Sequence, residues 1–373
     1  MILLISMIIK KIPSKSATTS CFPGNLLTRA SLLSSRGSAQ MPGGMASAGE
    51  DTGFFTVTVR GRARVAHSFA GEAFGPARAL HGITYTVDAV LTGPALAPHV
   101  NYLVDICEAE RALQQALATY DRRNLDEIPE FSGQNTTCER VARAVWERMA
   151  TALPGPPALT SIKIVVRESD VAFVEYERAL GPDAPPGLYT VSVRARFMAA
   201  RSLRGGRFGP GAERLHGATF IVDAQIGGRV LDPELSFLVD ICLAEQLLSD
   251  AVGKLHQTNL DESMGGAGAV NPTSGAIADV LGSALADGLA DWPLESLRLV
   301  VRASDVDVSE HVRPLGGDGG DGGRGGGRGG GGGGGGGGGV VPSHTLVARG
   351  RCMVAHSFRG EEFGDAQVSR YAE

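Results

Sequence analysis

One stretch of this chain is written twice and begun a third time, which sets the domain count before any secondary structure is considered. Ala66-His67-Ser68-Phe69, Gly71-Glu72, Phe74-Gly75-Pro76 and Leu80-His81-Gly82 return as Ala200-Arg201-Ser202-Leu203, Gly205, Phe208-Gly209-Pro210 and Leu215-His216-Gly217. From there the register is constant: His81 and His216, Asp88 and Asp223, Asp105 and Asp240, Asn124 and Asn259, Ser169 and Ser304 all stand 135 residues apart. A period that long is a whole domain, not a solenoid unit. Ala355-His356-Ser357-Phe358, Gly360-Glu361 and Phe363-Gly364 open a third copy, which reaches Glu373 without a Leu-His-Gly of its own. It can supply at most one strand and the loop after it; a free tail is the expectation, and addition of a strand to a sheet edge the alternative.

The repeat divides the chain into a leader (1–53), a first domain (54–180), a linker (181–187), a second domain (188–315), a glycine-rich tether (316–339) and the truncated third copy (340–373). Three of the seven linker residues are proline, so it should be short and stiff. Residues 316–339 contain only Gly, Asp and Arg. Such a run loses much backbone entropy on ordering and has nothing to bury, so a disordered tether is expected.

With 43% hydrophobic and 20% charged residues, 373 residues suffice for two cores. The net charge of −5 and the lack of a basic stripe interleaved with aromatics argue against a nucleic-acid partner. Cys21, Cys107, Cys138, Cys242 and Cys352 form no CxxC pair, which suggests a reducing compartment. Cys107 and Cys242 share one repeat position on a predicted helix and are expected in the core.

No acidic residue precedes Glu50, while Lys10, Lys11, Lys15, Arg29 and Arg36 lie among many Ser and Thr. That is the composition of a plastid or mitochondrial transit peptide. A disordered leader ahead of a start at Met41 or Met45 is the alternative, with a cytoplasmic protein as the result. Met1 to Ile9 is far short of the ~20 apolar residues of a membrane span, and no membrane association is expected.

In the first copy, Phe55, Val57, Val59, Ala63 and Val65 alternate with Thr56, Thr58, Arg60, Arg62 and Arg64, as in a half-buried antiparallel strand. Ile83, Tyr85 and Val87 mark a second strand, and the Gly-rich loop between carries His67 near its start and His81 near its end. Ile106, Leu113, Leu117 and Tyr120 mark one helix; Cys138, Val141, Val145 and Met149 mark another, capped by Asn135 or Thr136. Ile162, Ile164 and Val166 form a third strand, and residues 171–176 a fourth. The order predicts an α+β domain, a four-stranded antiparallel sheet with two helices on one face, present twice.

His67 after a strand, His81-Gly82 before the next, Asp121-Arg122-Arg123-Asn124-Leu125-Asp126, Asn135-Thr136-Thr137-Cys138-Glu139 and Arg167-Glu168-Ser169 come in the order and spacing of one family. In these motifs the chain resembles the 6-pyruvoyltetrahydropterin synthases, which include 6-carboxytetrahydropterin synthase. The resemblance covers about residues 54–177 and, more weakly, 189–308. It implies tandem tunnelling-fold (T-fold) domains, zinc held by histidines, a pterin substrate and assembly into a homo-oligomer, with the first-copy sites lined partly by the second copy or by another chain. The implied reaction is triphosphate elimination from 7,8-dihydroneopterin triphosphate by a carbon–oxygen lyase.

Carried over by position, His67 and His81 match two zinc ligands, Glu168 the pterin-anchoring glutamate, and Thr137 and Glu139 further substrate contacts. Asp121 matches the aspartate of an Asp-His proton-transfer pair, but its partner here is Arg122. The third zinc position holds Ile83, and Glu72 is the nearest substitute, either as ligand or as base. The family's catalytic cysteine has no counterpart in Gly75-Pro76-Ala77-Arg78. In the second copy the sites read Arg201, Gly275 and Ala303, so that half is expected to be structural. Alternative functions are a 6-carboxytetrahydropterin synthase-like or side-chain-cleaving lyase, and a pterin- or purine-binding subunit without turnover.

Overall fold

A computed structural model describes residues 54–155, 158–264, 270–304, 307–315 and 343–347. The expectations for the leader, for residues 316–339 and for the third-copy histidine lie outside the described residues. The first copy runs β1 (Phe55–His67), β2 (His81–Gly93), α1 (Ile106–Ala118), the two-residue β3 (Arg123–Asn124), α2 (Cys138–Ala152), β4 (Ser161–Arg167) and β5 (Ala172–Ala179). The second runs β6 (Leu188–Arg201), the single turn α3 (Pro210–Glu213), β7 (His216–Gly228), α4 (Ile241–Gly253), the single turn α5 (Leu260–Ser263), α6 (Ser274–Gly288), β8 (Ser296–Arg302) and β9 (Val308–Pro314). A last strand, β10, spans Ser343–Val347.

All ten strands join one sheet, in the order β10-β9-β8-β7-β6-β5-β4-β2-β1-β3. The two copies meet where β5 pairs antiparallel with β6, Ala172 opposite Val193 and Glu177 opposite Leu188. A backbone ladder therefore crosses the domain boundary, and the predicted pair of four-stranded α+β units is one continuous surface. Val59, Ala63, Val65, Tyr85, Val87, Ala89 and Leu91 are buried beneath the helices. Their neighbours on the open face include Arg60, whose guanidinium chelates Asp88 on β2, so β2 can run on through a charge to Gly93, beyond its predicted end.

The expected helix faces are the buried ones. Leu113 and Leu117 of α1 and Val141, Val145 and Met149 of α2 are buried, and the Trp146 indole N–H donates to the Ile162 carbonyl at 3.0 Å, tying α2 to β4. Truncating a core side chain such as Met149 to Ala typically costs about 2–5 kcal/mol.

Two local expectations are corrected. The N-cap of α2 is Thr137, not Asn135 or Thr136, and its hydroxyl makes no capping bond, because all three polar side chains are engaged elsewhere. Cys107 and Cys242 are exposed: each follows an Asp N-cap whose carboxylate accepts the cysteine N–H, and the core stripe of each helix begins two residues later, at Ala109 and Ala244. The third copy's first strand is not a free tail either, since β10 pairs antiparallel with β9.

Candidate active site

β1 ends and β2 begins on the two histidines, which face each other in the ladder. The connection between them is clamped: Ser68 donates its N–H and hydroxyl to Asp126, and Asn135 exchanges bonds with the Ala70 backbone. His67 is buried, with Nδ1 at 3.2 Å from the Thr136 carbonyl. A carbonyl only accepts, so Nδ1 carries the hydrogen and Nε2 the lone pair. That Nε2 is buried and has no hydrogen-bond partner among the described residues. In the same way His81 Nδ1 lies 2.9 Å from the Ala79 carbonyl, and the ring centres are 4.5 Å apart. Burial, then the neighbouring His81, lowers the pKa of His67 to about 4, so the ring is neutral at pH 7.

A buried lone pair without a donor is costly unless something occupies it. Two imidazoles, each oriented through Nδ1 by a carbonyl, form the outer-shell arrangement of metal-binding histidines. The pair therefore fits two positions of a metal centre. It stops at two: among the described residues no group of three His, Cys, Asp or Glu is placed to hold an ion. Glu72 is exposed on the 3-10 turn Glu72–Arg78 and does not complete the set, and neither does Ile83.

His81 lines a cavity of about 250 Å³ closed by both copies. Its wall from the first copy includes Phe69 and Phe74, stacked at 4.6 Å; Phe237 of the second copy meets Phe74 edge-on at 5.7 Å. Glu168 also lines it, just beyond β4, along with Asp240 and Cys242 at the start of α4. The Cys138 thiol donates to Glu168 at 3.5 Å. Burial, reinforced by the Glu168 and Glu139 carboxylates, pushes its pKa well up, so it remains a neutral donor.

Thr137 and Glu139 line the cavity too, yet their polar atoms hold the second copy. The Thr137 hydroxyl donates to the Ser236 carbonyl at 2.8 Å, and the Glu139 carboxylate accepts the Leu238 N–H at 3.1 Å. Asn135 reaches the Glu234 and Leu235 carbonyls. Where the two loops touch, Gly71 has a φ of +114°, and a Cβ there would lie 2.9 Å from the Leu235 side chain. Burial raises the pKa of Glu139.

The structure does not bring Asp121 or Glu72 into the cavity lining. Asp121 accepts the Arg64 backbone N–H at 2.8 Å and its guanidinium at 3.1 and 2.8 Å; these bonds hold its pKa below the usual carboxylate range. Sequence reasoning missed Phe69, Phe74, Phe237, Asp240 and Cys242. It also missed Asp126, which supports Ser68 and, through Thr136, His67. Its counterpart Asp261 holds Ser202 alike, and that persistence across copies was the available signal.

The family model described as 6-pyruvoyl tetrahydropterin synthase matches residues 56–179 and again 190–312, about two thirds of the chain. The chain belongs to the 6-pyruvoyl tetrahydropterin synthase family. Among curated relatives, the 6-pyruvoyl tetrahydrobiopterin synthase of Poecilia reticulata is 28% identical over 98 residues, 26% of this chain and 64% of that protein. The chain thus spans less than two thirds of the length of that relative. Among solved structures, the Caenorhabditis elegans 6-pyruvoyl tetrahydropterin synthase is similar at 22% identity, covering 31% of this chain and 90% of its own, with a TM-score of 0.29. A uricase from Bacillus fastidious covers 71% of this chain and 86% of its own at 10% identity, with a TM-score of 0.34. As members of the pterin synthase family, both copies are T-fold domains.

Proposed function

We propose that this chain is a pterin enzyme of the 6-pyruvoyl tetrahydropterin synthase type, acting in the cavity between its two copies. The proposed substrate is 7,8-dihydroneopterin triphosphate and the reaction is elimination of triphosphate. One observation carries the reading: Glu168 and His81, beside His67, share a single aromatic-walled cavity. A pterin ring presents an exocyclic amine and an adjacent ring N–H as two parallel donors, which a carboxylate accepts in bidentate fashion. Glu168 supplies that carboxylate, the Cys138 thiol orients it, and Phe69, Phe74 and Phe237 offer apolar surface to the bicyclic ring.

His67 and His81 would hold zinc through their Nε2 atoms. When bound there, zinc would polarise a substrate hydroxyl or carbonyl. Thr137 and Glu139 act by fixing the second copy's loop over the cavity. Proton transfer falls to a group in the lining, since Asp121 and Glu72 stand outside it.

A second reading, a pterin- or purine-binding subunit without turnover, is favoured by the Asp121 geometry: its carboxylate is spent on Arg64. Metal analysis of the purified chain followed by incubation with dihydroneopterin triphosphate decides between them. Bound zinc with triphosphate release supports the lyase, and product analysis separates elimination from side-chain cleavage. Pterin binding with no release selects the subunit, and no pterin binding overturns both.

A further inference from the structure

The sheet is notched at the seam between the two copies. β4 ends at Arg167, opposite Thr86 of β2, and β5 begins at Ala172, opposite Val193 of β6. The turn of residues 168–171 joins them, while β2 reaches back to His81 and β6 runs on to Arg201. Beyond that turn no strand of the described residues lies between β2 and β6. On the helix side of the notch is the aromatic-walled cavity. On the opposite, open face lies a groove of about 840 Å³, and Glu168 belongs to both linings.

Five guanidiniums line the groove: Arg60 and Arg62 on β1, Arg167 at the end of β4, and Arg194 and Arg196 on β6. Strand alternation puts the β1 and β6 pairs there, since Val59, Ala63, Val193 and Phe197 beside them are buried on the helix side. Arg60 chelates the buried Asp88 through Nε and Nη2, and Arg194 chelates the buried Asp223 in the same way. Each aspartate carries a second guanidinium, Arg167 on Asp88 and Arg302 on Asp223. A chelating guanidinium spends two of its five N–H donors, so three remain for a ligand, in an orientation already fixed. Arg62 and Arg196 are exposed and have no hydrogen bond or ion pair among the described residues.

Glu168 and Asp170 line the groove as well. Counting Arg302, Asp88 and Asp223, which the ion pairs tie to it, six guanidiniums still meet only four carboxylates. That local excess stands on a chain whose net charge is −5. Guanidiniums spread over three strands suit several anionic groups in line better than one, and the guanidinium fork matches phosphate oxygens two at a time. The lining has no aromatic side chain, so it offers no platform on which a nucleic-acid base could stack. We propose that this groove is an anion site that takes a linear phosphate chain, either free triphosphate or the triphosphate arm of a larger ligand. The groove and the cavity lie on opposite faces of the sheet, so this inference does not rest on the proposed function.

The test is a calorimetric titration of the full chain with sodium tripolyphosphate. Arg62→Ala with Arg196→Ala removes two unpaired groove charges; Arg111→Ala with Arg207→Ala removes two exposed arginines outside it. The unaltered chain and the Arg111 and Arg207 variant should bind tripolyphosphate alike, and added salt should weaken both. The groove variant should bind at least about tenfold more weakly. Neopterin, which carries no phosphate, should bind all three chains alike; its failure to bind any of them would count against the proposed function and leave the groove standing. Displacement of tripolyphosphate by neopterin triphosphate, but not by neopterin, identifies the ligand as the arm of a larger molecule, and persistence beside both identifies the free chain. Displacement by neopterin alone would place tripolyphosphate in the aromatic-walled cavity and overturn the proposal, as would no tripolyphosphate binding or equal affinity in the two double variants.

Discussion

Arg201 and Asp307 form an ion pair at 3.2 Å where the first copy has His67 and Ala172. The guanidinium is buried, donates also to the Pro272 carbonyl at 3.0 Å, and lies over the Phe220 ring. Asp307 in turn accepts the Ser274 hydroxyl. The space that holds the paired imidazoles in one copy is thus filled in the other by a cation with its own counter-ion. This is the physical content of calling the second copy structural.

Asp307→Ala should destabilise the chain by about 1.5–3 kcal/mol, because it leaves a buried guanidinium with a carbonyl as its main partner. The loss should appear as a lower midpoint in urea at unchanged slope. An unchanged midpoint would show that the pair is incidental.

Metal content separates the two copies. His67→Ala and His81→Ala should each abolish zinc binding, whereas Arg201→Ala and His216→Ala should leave it intact, since Arg201 cannot be a ligand and stands beside His216 in place of a second imidazole. Elemental analysis after dialysis reads this directly. Equal zinc in all four variants would sink the assignment.

Much of the fold was legible because its signals are periodic. The 135-residue repeat, the alternation around Val59 and Ala63 and the 3.6-residue stripe of α2 each follow from local geometry, and the histidines were found through their place at two strand ends. A site lined partly by the second copy was expected and is what the cavity shows, but the residues that close it were not legible. Contacts such as Thr137 to Ser236 or Phe74 to Phe237 join residues whose proximity depends on β5 pairing with β6, which no spacing within one copy encodes. For that reason the bonds by which Thr137 and Glu139 hold a loop of the second copy were not foreseen. The cysteines failed for a simpler reason: Cys107 lies in the first turn of its helix, two residues before Ala109, where the buried stripe begins.

In the zinc-free chain, His67 makes stability depend on pH in a defined window. Its folded pKa of about 4 lies below the unfolded value of 6.5, so between these the unfolded state binds more protons and stability rises with pH. The contribution is complete above about pH 6.5 and is lost as pH falls through 4, by at most about 3 kcal/mol. Denaturation midpoints from pH 7 to pH 4 should drop less steeply in His67→Gln than in the unaltered chain. Parallel pH profiles would contradict the buried neutral imidazole.

Glu168 and Glu139 line the same cavity, yet they should fail differently when removed. Glu168 is exposed and lines the cavity, where it accepts the Cys138 thiol, so its carboxylate remains available to a ring. Glu168→Ala should weaken binding of a pterin such as neopterin by ~2–4 kcal/mol, since two ring donors lose a charge-assisted partner. Zinc content and urea midpoint should be unchanged. Glu139 is buried and accepts the Leu238 N–H; Glu139→Ala leaves that N–H unpaired and loosens the loop over the cavity, so stability should fall first and affinity only in consequence. Calorimetric titration beside urea denaturation tells the two apart. If Glu168→Ala binds neopterin as tightly as the unaltered chain, the ring anchor lies elsewhere in the cavity.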